Sequence, residues 1–474
     1  MNELADVKHG SNGPSEKPRH GGKPRPGGPG IRPSSGGAKA KPGAENAKPA
    51  AAKSTVRISP ARAAAFEILG LVGQGRGHSD ELLHGRHLKA LSPADRNLAT
   101  TLVLGVLRWQ IALDAGFKPF LQRPDVKLTA PVQIALRMGA FQLLHLDRIP
   151  AHAALSESVE LVRADAPFAV GMVNAVLRKV STAPKAGLPL YESTAAFAER
   201  LGHPLWLAER WVAAYGRSAA IAICEANQHE PGHGALFAPE TDGAEMPVMD
   251  DGSRLVAELA AACAPGAQRV WDCCAAPGGK TLVMARRLPT AALLATDASP
   301  RRLKVLAERL ETAGVGEPVK TVNADALALP AELGNFDLVL CDVPCSGTGT
   351  LARNPEIRHR LKPEELSRQV ERQRAILTAA FARLAPGGRL VYSTCSLERE
   401  ENEQVLANVL RKLPVSFVVK KVEVAPLLDT LREQGRFRED AELAKLVGDN
   451  SLRTLPGNGF DGDGFFAAVY ERRS

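Results

Sequence analysis

Apolar residues recur at intervals of three and four from residue 58 to residue 185, the spacing that places them on one face of a helix. Serine directly before proline marks two helix starts, because serine caps a helix and proline fits its first position. The pattern predicts an all-α domain over residues 58–185. The predicted helices begin at or span Ser59-Pro60, Ser92-Pro93, Pro131, residues 153–162 and residues 170–180.

A second helical part follows over residues 186–248. The apolar spacing predicts a helix pair from His203 to Asn227, with Trp206 and Trp211 in its core. Residues 228–248 are polar and rich in Gly and Pro. We interpret them as a linker or a reduced subdomain.

Beyond residue 249, short apolar runs alternate with helical stretches, which is typical of a doubly wound parallel sheet. Open α/β sheets bind ligands at the carboxyl ends of their strands. Residues 249–474 are therefore predicted to form a Rossmann-like α/β domain with a site at that edge. The predicted strands cover residues 269–274, 293–297, 321–325, 336–342 and 389–394. Four acids stand at or near strand ends, namely Asp272, Asp297, Asp325 and Asp342.

The first 57 residues are rich in Gly and Pro, and the first aromatic residue of the chain is Phe66. Such a segment buries too little apolar surface to offset the entropy of ordering, so we predict a disordered tail over residues 1–57. Residues 1–60 hold eleven Lys and Arg against four acids, which accounts for +7 of the net charge of +8. A basic arm of this kind either contacts RNA phosphates in a salt-dependent way or only keeps the protein soluble. The sequence leaves both open.

Composition excludes several classes of protein. The chain has 474 residues, 45% of them hydrophobic, with no uninterrupted run of eighteen apolar residues, so we expect no membrane span. The first residues lack the apolar core of a signal peptide, and the seven scattered cysteines indicate no disulfide framework. We therefore expect a cytoplasmic protein, and we further expect a monomer without a bound metal.

The first predicted strand leads into CCAAPGGKT, residues 273–281. Gly278 and Gly279 allow a ligand to approach the backbone, yet the phosphate-binding patterns GxGxxG and GxxxxGK[ST] are both absent. Asp297 stands where the acid at the end of the second strand binds ribose in dinucleotide folds. A ribose site without a pyrophosphate cradle favours S-adenosylmethionine over NAD.

Two cysteines follow the fourth and fifth strands, in DVPCSGTG and YSTCS. Cys345 and Cys395 are therefore expected at the same sheet edge, beside the cofactor. Carbon 5 of cytosine is a poor nucleophile, and a thiolate that adds to carbon 6 makes it reactive toward a methyl sulfonium. A second polar group could then assist loss of the carbon 5 proton and of the thiolate. A structural role as small apolar core residues is the better interpretation of Cys224, Cys263, Cys273 and Cys341.

Two segments carry a resemblance in the helical domain, LRMGAFQLLHLDRIPAHAALSESVELVRA (residues 136–164) and GMVNAVLRKV (residues 171–180). They resemble the RNA-binding domain of the NusB antitermination type, which implies RNA as a partner. Five apolar helices would also suit any helical scaffold. Four basic residues could face a phosphate backbone or be ordinary surface charges, namely Arg108, Arg137, Arg178 and Lys179.

Six segments of the chain resemble, in order, the motifs of RsmB/Sun-type ribosomal RNA cytosine-5 methyltransferases. They are DCCAAPGGKT, ATDASPRRL, VNADA, CDVPCSGTGTLARNPEIRHRL, YSTCSLEREENEQVL and TLPGNGFDGDGFFAAVYERR. With the NusB-like domain, the resemblance spans about residues 59–474. It implies an S-adenosylmethionine-dependent enzyme that methylates carbon 5 of a cytosine in 16S ribosomal RNA through a covalent cysteine–RNA intermediate.

The resemblance also implies roles for individual residues. Cys395 would be the nucleophile, Cys345 would help to release the product, and Asp342 would hold the cytosine edge and border the cofactor. Lys280 could also contact the substrate. The residues implied to line S-adenosylmethionine are Cys274, Ala275, Ala276, Pro277, Gly278, Gly279, Lys280, Asp297, Asp325 and Asp342.

The chain departs from the family pattern at three places. Trp271 and Cys273 replace aliphatic residues, and Val343 stands where alanine is common. Between Asn227 and Met249 about twenty residues remain, where family members usually carry an αβ RNA-recognition subdomain. The placement of RNA and the target base are therefore left open.

Other functions compete with this prediction. The same chemistry could act on another RNA, such as transfer RNA. An amino-group methyltransferase is disfavoured because DVPC replaces a motif of the [DNS]PP[YFW] type. The helical domain and basic tail would also suit an assembly or antitermination factor with an inert catalytic domain, but the two retained cysteines argue against it.

Overall fold

The computed structural model describes residues 57–184, 192–230, 232, 234–240, 246–315 and 318–473. The predicted disordered tail, residues 1–57, therefore lies outside the described residues except for its last position.

The predicted all-α domain is confirmed as a helical bundle in which α4 packs between α1 and α5. The elements are α1 Pro60–Gly73, α2 Ser79–Leu83, α3 Arg86–Lys89, α4 Pro93–Phe117, α5 Ala130–His145, α6 Ala151–Arg163 and α7 Val170–Thr182. Ser92 caps α4 as predicted, because its hydroxyl accepts from Asp95 N at 3.1 Å. Gly105 lets α4 and α5 approach closely, since a Cβ there would lie 2.0 Å from the Phe141 ring.

Helix α4 is long and apolar enough, by length and composition, to cross a membrane. Its apolar face instead forms the centre of the bundle, where Leu102, Val103, Val106 and Leu113 are buried. We therefore interpret α4 as the core helix of this domain.

Three helices connect the bundle to the sheet domain, namely α8 Thr194–Arg200, α9 Leu205–Tyr215 and α10 Arg217–Ala226. The prediction for Trp211 is confirmed, because this side chain is fully buried. Trp206 is only half-buried and packs at the margin of the same cluster, so its assignment to the core was too strong.

The predicted parallel sheet is confirmed, and it continues into antiparallel strands. In the described residues the strands are β1 Arg269–Asp272, β2 Ala292–Asp297, β3 Val319–Asn323, β4 Phe336–Asp342, β5 Leu384–Thr394, β6 Val419–Val422, β7 Val447–Gly448, β8 Ser451–Arg453 and β9 Phe466–Arg472. Their order is β3-β2-β1-β4-β5-β9-β8-β7, and β6 also pairs with β9. Strands β1 to β5 run parallel, whereas β9 runs antiparallel to β5.

Strand boundaries differ from the prediction at four strands, of which β2 begins one residue earlier than predicted and β5 begins at Leu384 rather than at Arg389. Strand β1 ends at Asp272, so residues 273 and 274 already belong to the loop that follows. Strand β3 lies two residues earlier than predicted, because Val319 rather than Thr321 begins the pairing with β2. Asp325 therefore lies beyond the strand, where its carboxylate accepts from Leu327 N at 3.0 Å and caps a 3₁₀ turn.

Helices cover both faces of the sheet, as the buried strands require. They are α11 Asp251–Cys263, α12 Gly279–Arg287, α13 Pro300–Thr312, α15 Pro363–Ala382, α16 Glu403–Leu410 and α17 Val424–Glu433. The short helix α14 Ile357–Arg360 lies instead against the helical part of the chain. Alternate strand residues separate into two cores: Val270 packs with α11 and α12, whereas Trp271 packs with α15 and α16. Trp271, which replaces an aliphatic residue of the family pattern, is thus accommodated in the core beside α15 and α16.

Residues 353–360 join the sheet domain to the helical part of the chain. Glu356 Oε2 accepts from the Ser79 hydroxyl at 2.7 Å, and Glu356 Oε1 accepts from Ser79 N at 3.0 Å. Arg358 is fully buried, and its guanidinium donates at 3.1 to 3.2 Å to the carbonyl oxygens of Arg108, Gly202, Asn227 and Leu351. These bonds fix the helical domain against the loop that carries Cys345.

Two of the four basic residues considered for phosphate binding contact protein instead. Arg108 donates to the carbonyl of Ala352 at 2.6 and 2.9 Å, across the domain junction. Arg137 forms a two-point ion pair with Asp114. The phosphate interpretation is therefore wrong for this pair, whereas Arg178 and Lys179 are exposed on α7 and stay candidates.

Candidate active site

Adjacent parallel strands bring Cys345 and Cys395 together. Cys345 follows β4 by three residues, Cys395 directly follows β5, and the register pairs Asp342 with Ser393. The two sulfur atoms lie 3.2 Å apart. The prediction that both cysteines share the carboxyl edge of the sheet is confirmed, whereas their separate roles stay predictions.

The two sulfurs lie within hydrogen-bond distance, and either can be the donor. The hydrogen bond to Cys395 and burial hold the pKa of the Cys345 thiol well above its usual range. Since a thiolate is the nucleophilic form of cysteine, only a sulfur without its proton can attack. The cysteines interpreted as core residues are buried, namely Cys224, Cys263, Cys273 and Cys341.

A lysine and an aspartate lie beside the cysteines. Lys280 Nζ forms an ion pair with Asp342 Oδ2 at 2.8 Å, and Asp342 Oδ1 accepts from the Ser393 hydroxyl at 2.7 Å. The Lys280 ammonium also lies 5.1 Å from the centre of the Phe465 ring. Burial opposes the charge on Lys280, but the ion pair and hydrogen bond with Asp342, together with Cys395 and Asp272, outweigh it and raise the pKa of Lys280. Lys280 thus supplies a fixed positive charge at the sheet edge.

A cleft of about 760 Å³ opens at the same edge. Its floor is the predicted cofactor loop, which runs from Cys274 through Lys280. Gly278 has φ 102° directly before α12, where a Cβ would meet the side chain of Leu306 at 3.1 Å. A side chain at residue 278 would therefore be strained and would crowd α13, which explains the glycine at this turn.

Asp272 contributes a carboxylate to this cleft. Its Oδ2 accepts from the Thr281 hydroxyl at 2.7 Å, while the buried Oδ1 has no hydrogen-bond partner among the described residues. Burial raises the pKa of Asp272 to about 7. An unpartnered carboxylate oxygen suits the ammonium group of a bound amino acid, so the cleft fits the methionine end of S-adenosylmethionine.

Asp297 and Asp325 lie to one side of this cleft and are not among its lining residues. Asp297 is buried and accepts from Ala276 N at 3.3 Å and from Ser299 N at 2.9 Å. Arg302 lies 3.4 Å from the same carboxylate. Asp325 is exposed. Both aspartates border the end of the sheet, and their contact with a cofactor ribose or base stays a prediction.

Sequence reasoning missed parts of the site. Residues 246–249 line the cleft, although we had interpreted residues 246–248 as linker. Val305 and Arg309 of α13 form the opposite wall. Glu401 lies fully buried behind both cysteines. It stands in the acidic run EREENEQ, which gives no sign of burial in the sequence. Among the described residues, no cluster of His, Cys, Asp and Glu could hold a metal ion.

Two family models match separate parts of the chain. Residues 262–471 match the family model described as 16S rRNA methyltransferase RsmB/F, and residues 59–182 match that of the NusB family. The fold is shared with the crystal structure of PH0851, with a TM-score of 0.64 and 21% identity, over 88% of this chain and 100% of that one.

Two curated relatives resemble most of the chain. Ribosomal RNA small subunit methyltransferase B of Xanthomonas campestris pv. campestris is 32% identical over 394 residues, which cover 74% of this chain and 87% of the relative. The protein of the same name from Enterobacter sp. (strain 638) is 30% identical over 448 residues, which cover 85% of this chain and 97% of the relative.

Proposed function

This chain belongs to the ribosomal RNA small subunit methyltransferase B family, and we propose that it methylates carbon 5 of a cytosine in 16S ribosomal RNA through a covalent cysteine–RNA intermediate. The observation that carries this proposal is the pair of sulfurs 3.2 Å apart at the carboxyl edge of the sheet. Cytosine-5 chemistry needs a thiolate that attacks and a neighbouring group that assists its departure.

The reaction uses the two cysteines in sequence. The Cys395 thiolate forms a bond to carbon 6 of the cytosine, and the displaced π electrons make carbon 5 nucleophilic. When bound, S-adenosylmethionine would supply the methyl group to carbon 5, and its sulfur would keep the electron pair of the broken sulfur–methyl bond. The Cys345 sulfur then accepts the carbon 5 proton, the carbon–hydrogen electron pair re-forms the double bond, and the carbon–sulfur bond breaks with its electron pair returning to Cys395. We assign Cys345 to this elimination because its sulfur lies beside the departing one.

Other residues bind and orient the reactants. We propose that the loop from Cys274 to Lys280, together with Asp297, Asp325 and Asp342, holds S-adenosylmethionine. The unpartnered Oδ1 of Asp272 supports this, because it gives the cleft a free carboxylate oxygen. Asp342 would also hold the cytosine edge, while the ion pair with Lys280 fixes its direction.

RNA is the proposed partner of the helical domain, and the names of the relatives favour small-subunit ribosomal RNA over transfer RNA. Because Arg358 ties this domain to the loop after Cys345, RNA bound to the bundle would keep a fixed direction toward the cysteines. The reaction would take place in the cytoplasm.

Bisulfite sequencing of ribosomal and transfer RNA from cells with and without the gene tests this function. We expect one 16S cytosine to lose its methyl group in cells without the gene and to regain it with the wild-type gene but not with Cys395→Ala. An unchanged 16S pattern with a changed transfer RNA cytosine would contradict the ribosomal target, and no changed cytosine would contradict the chemistry.

A further inference from the structure

We propose that Glu401 is a positioning residue that holds Cys345 and Cys395 in contact. The inference rests on the proposed function, in which both sulfurs act on one base. It starts from a buried carboxylate that touches neither sulfur yet binds the residues next to both.

Each oxygen of Glu401 has its own set of donors. Oε1 accepts from Ser346 N at 2.9 Å and from Gln373 Nε2 at 2.8 Å. Oε2 accepts from the hydroxyls of Ser346 and Ser396. One carboxylate therefore binds the residue after Cys345 and the residue after Cys395 at the same time.

Further bonds tie the backbone around this carboxylate. Gln373 Nε2 also donates to the carbonyl of Pro344 at 3.0 Å, directly before Cys345. The Tyr392 hydroxyl on β5 donates to the carbonyl of Glu401 at 2.5 Å. The carboxylate is thus fixed from both strands, and it cannot shift without moving one of the cysteine loops.

The chemistry of the site matches a charged acceptor. All four groups that face the carboxylate are donors, and Glu401 forms no ion pair within 4.0 Å with a Lys, Arg or His of the described chain. A buried carboxylate without a counter-ion is costly unless its hydrogen bonds are complete. Its charge also contributes to the raised pKa of Cys345, behind the larger effects of Cys395 and burial.

Two substitutions separate this role from simple packing. Glu401→Ala removes every bond between the two loops that passes through the carboxylate. Glu401→Gln keeps an oxygen for the two N–H donors, and its amide group can donate to the serine hydroxyls, which rotate freely. Gln therefore preserves the bonds on both sides, while Ala leaves only the direct bonds between the loops, such as those from Gly349 N to the carbonyl of Cys395 and from Leu397 N to the Thr348 hydroxyl.

The test measures thiol contact directly, without RNA or cofactor. Full-length protein is treated with diamide, which oxidises two thiols to a disulfide while its N=N bond takes up both hydrogens. Peptide mapping by mass spectrometry then follows the Cys345–Cys395 bond over time. We expect Glu401→Ala to form this bond at least about tenfold more slowly than wild type, and Glu401→Gln to stay within about threefold. Cys345→Ala is the control that cannot form it.

Equal rates for wild type and a folded Glu401→Ala would overturn the proposal, as would failure of the wild-type pair to oxidise. If Glu401→Ala does not fold, Ser346→Ala replaces it. This variant loses the hydroxyl bond to Glu401 together with the hydroxyl contacts to Thr348 and Ser396, while Ser346 N still donates to Glu401, and we expect it to oxidise about threefold more slowly. An unchanged rate would likewise contradict the role of Glu401. Because no methyl transfer is measured, an error in the proposed reaction would leave these rates unaffected.

Discussion

The sulfur of Cys345 lies 3.2 Å from the sulfur of Cys395, although fifty residues separate the two cysteines along the chain. The contact arises because β4 and β5 are adjacent and parallel, so their carboxyl ends release the two loops at one place. The separate roles proposed for the two sulfurs can therefore be tested directly by substitution.

Substitution of each cysteine should give opposite outcomes. Cys395→Ala removes the attacking thiolate, so it should bind RNA and cofactor but neither methylate nor crosslink. Cys345→Ala should still attack and accept the methyl group, but elimination should stall and leave protein joined to RNA. Denaturing electrophoresis with labelled RNA detects this adduct, which should require S-adenosylmethionine.

The double variant is the control, because the trapped bond belongs to Cys395 and should disappear with it. An adduct from Cys395→Ala and none from Cys345→Ala would mean that the two roles are reversed.

Asp297→Ala should weaken binding of S-adenosylmethionine by about 1.5 to 3 kcal/mol, because a buried carboxylate is expected to accept charge-assisted bonds from the ribose. In the structure this carboxylate also accepts from Ala276 N and Ser299 N and so holds the cofactor loop. Isothermal calorimetry measures the affinity. The cofactor affinity of Asp325→Ala is measured for comparison, because Asp325 lies at an exposed position beyond β3.

Unchanged affinity in a folded Asp297→Ala would show that this residue only supports the loop. A larger loss in Asp325→Ala than in Asp297→Ala would move the principal cofactor contact to the third strand.

Stability should depend on the ionisation of Asp272. Burial raises the pKa of this carboxyl to about 7, against an ordinary value of 3.8. Between these pH values the folded protein holds a proton that the unfolded chain releases, so this contribution to the free energy of unfolding falls as pH rises and is gone above about pH 7. Asp272→Asn stays neutral and should gain stability relative to wild type over this range, by at most about 1.4 kcal/mol per pH unit.

Urea denaturation of both proteins at several pH values measures this difference. Parallel pH profiles for Asp272→Asn and wild type would mean that the carboxyl is already ionised in the folded protein at low pH.

Arg358 should be essential for the junction between the helical and catalytic domains. Arg358→Lys keeps the charge but cannot present a planar fork to four carbonyl groups, so we expect the free energy of unfolding to fall by about 2 to 4 kcal/mol. Urea denaturation measures the loss. Arg178→Ala is the matched control, since the guanidinium of this exposed arginine donates to Asn174 in the same helix, and the change should alter stability by less than about 0.5 kcal/mol.

Equal stability of Arg358→Lys and Arg178→Ala would show that the carbonyl groups around residue 358 find other donors, such as buried water.

The sequence by itself determined the order of elements and the chemistry of the catalytic edge. Helical spacing and capping residues located α4 and α7 to within a few residues, because these signals act between neighbours along the chain. The strand ends at Asp297 and Asp342 were correct for the same reason. The predicted bounds of β3 were wrong by two residues, because the ends of this short strand are set by its pairing with β2.

Only the tertiary structure decided which charged residues face solvent and which are buried. Arg108 and Glu401 look like surface charges in the sequence, yet one binds Ala352 across the domain junction and the other lies behind both cysteines. Their partners are distant along the chain, so no local pattern records them. Burial of a charge becomes favourable only when packing brings enough hydrogen-bond partners around it, and that number is fixed by the fold rather than by the residue's neighbours in sequence.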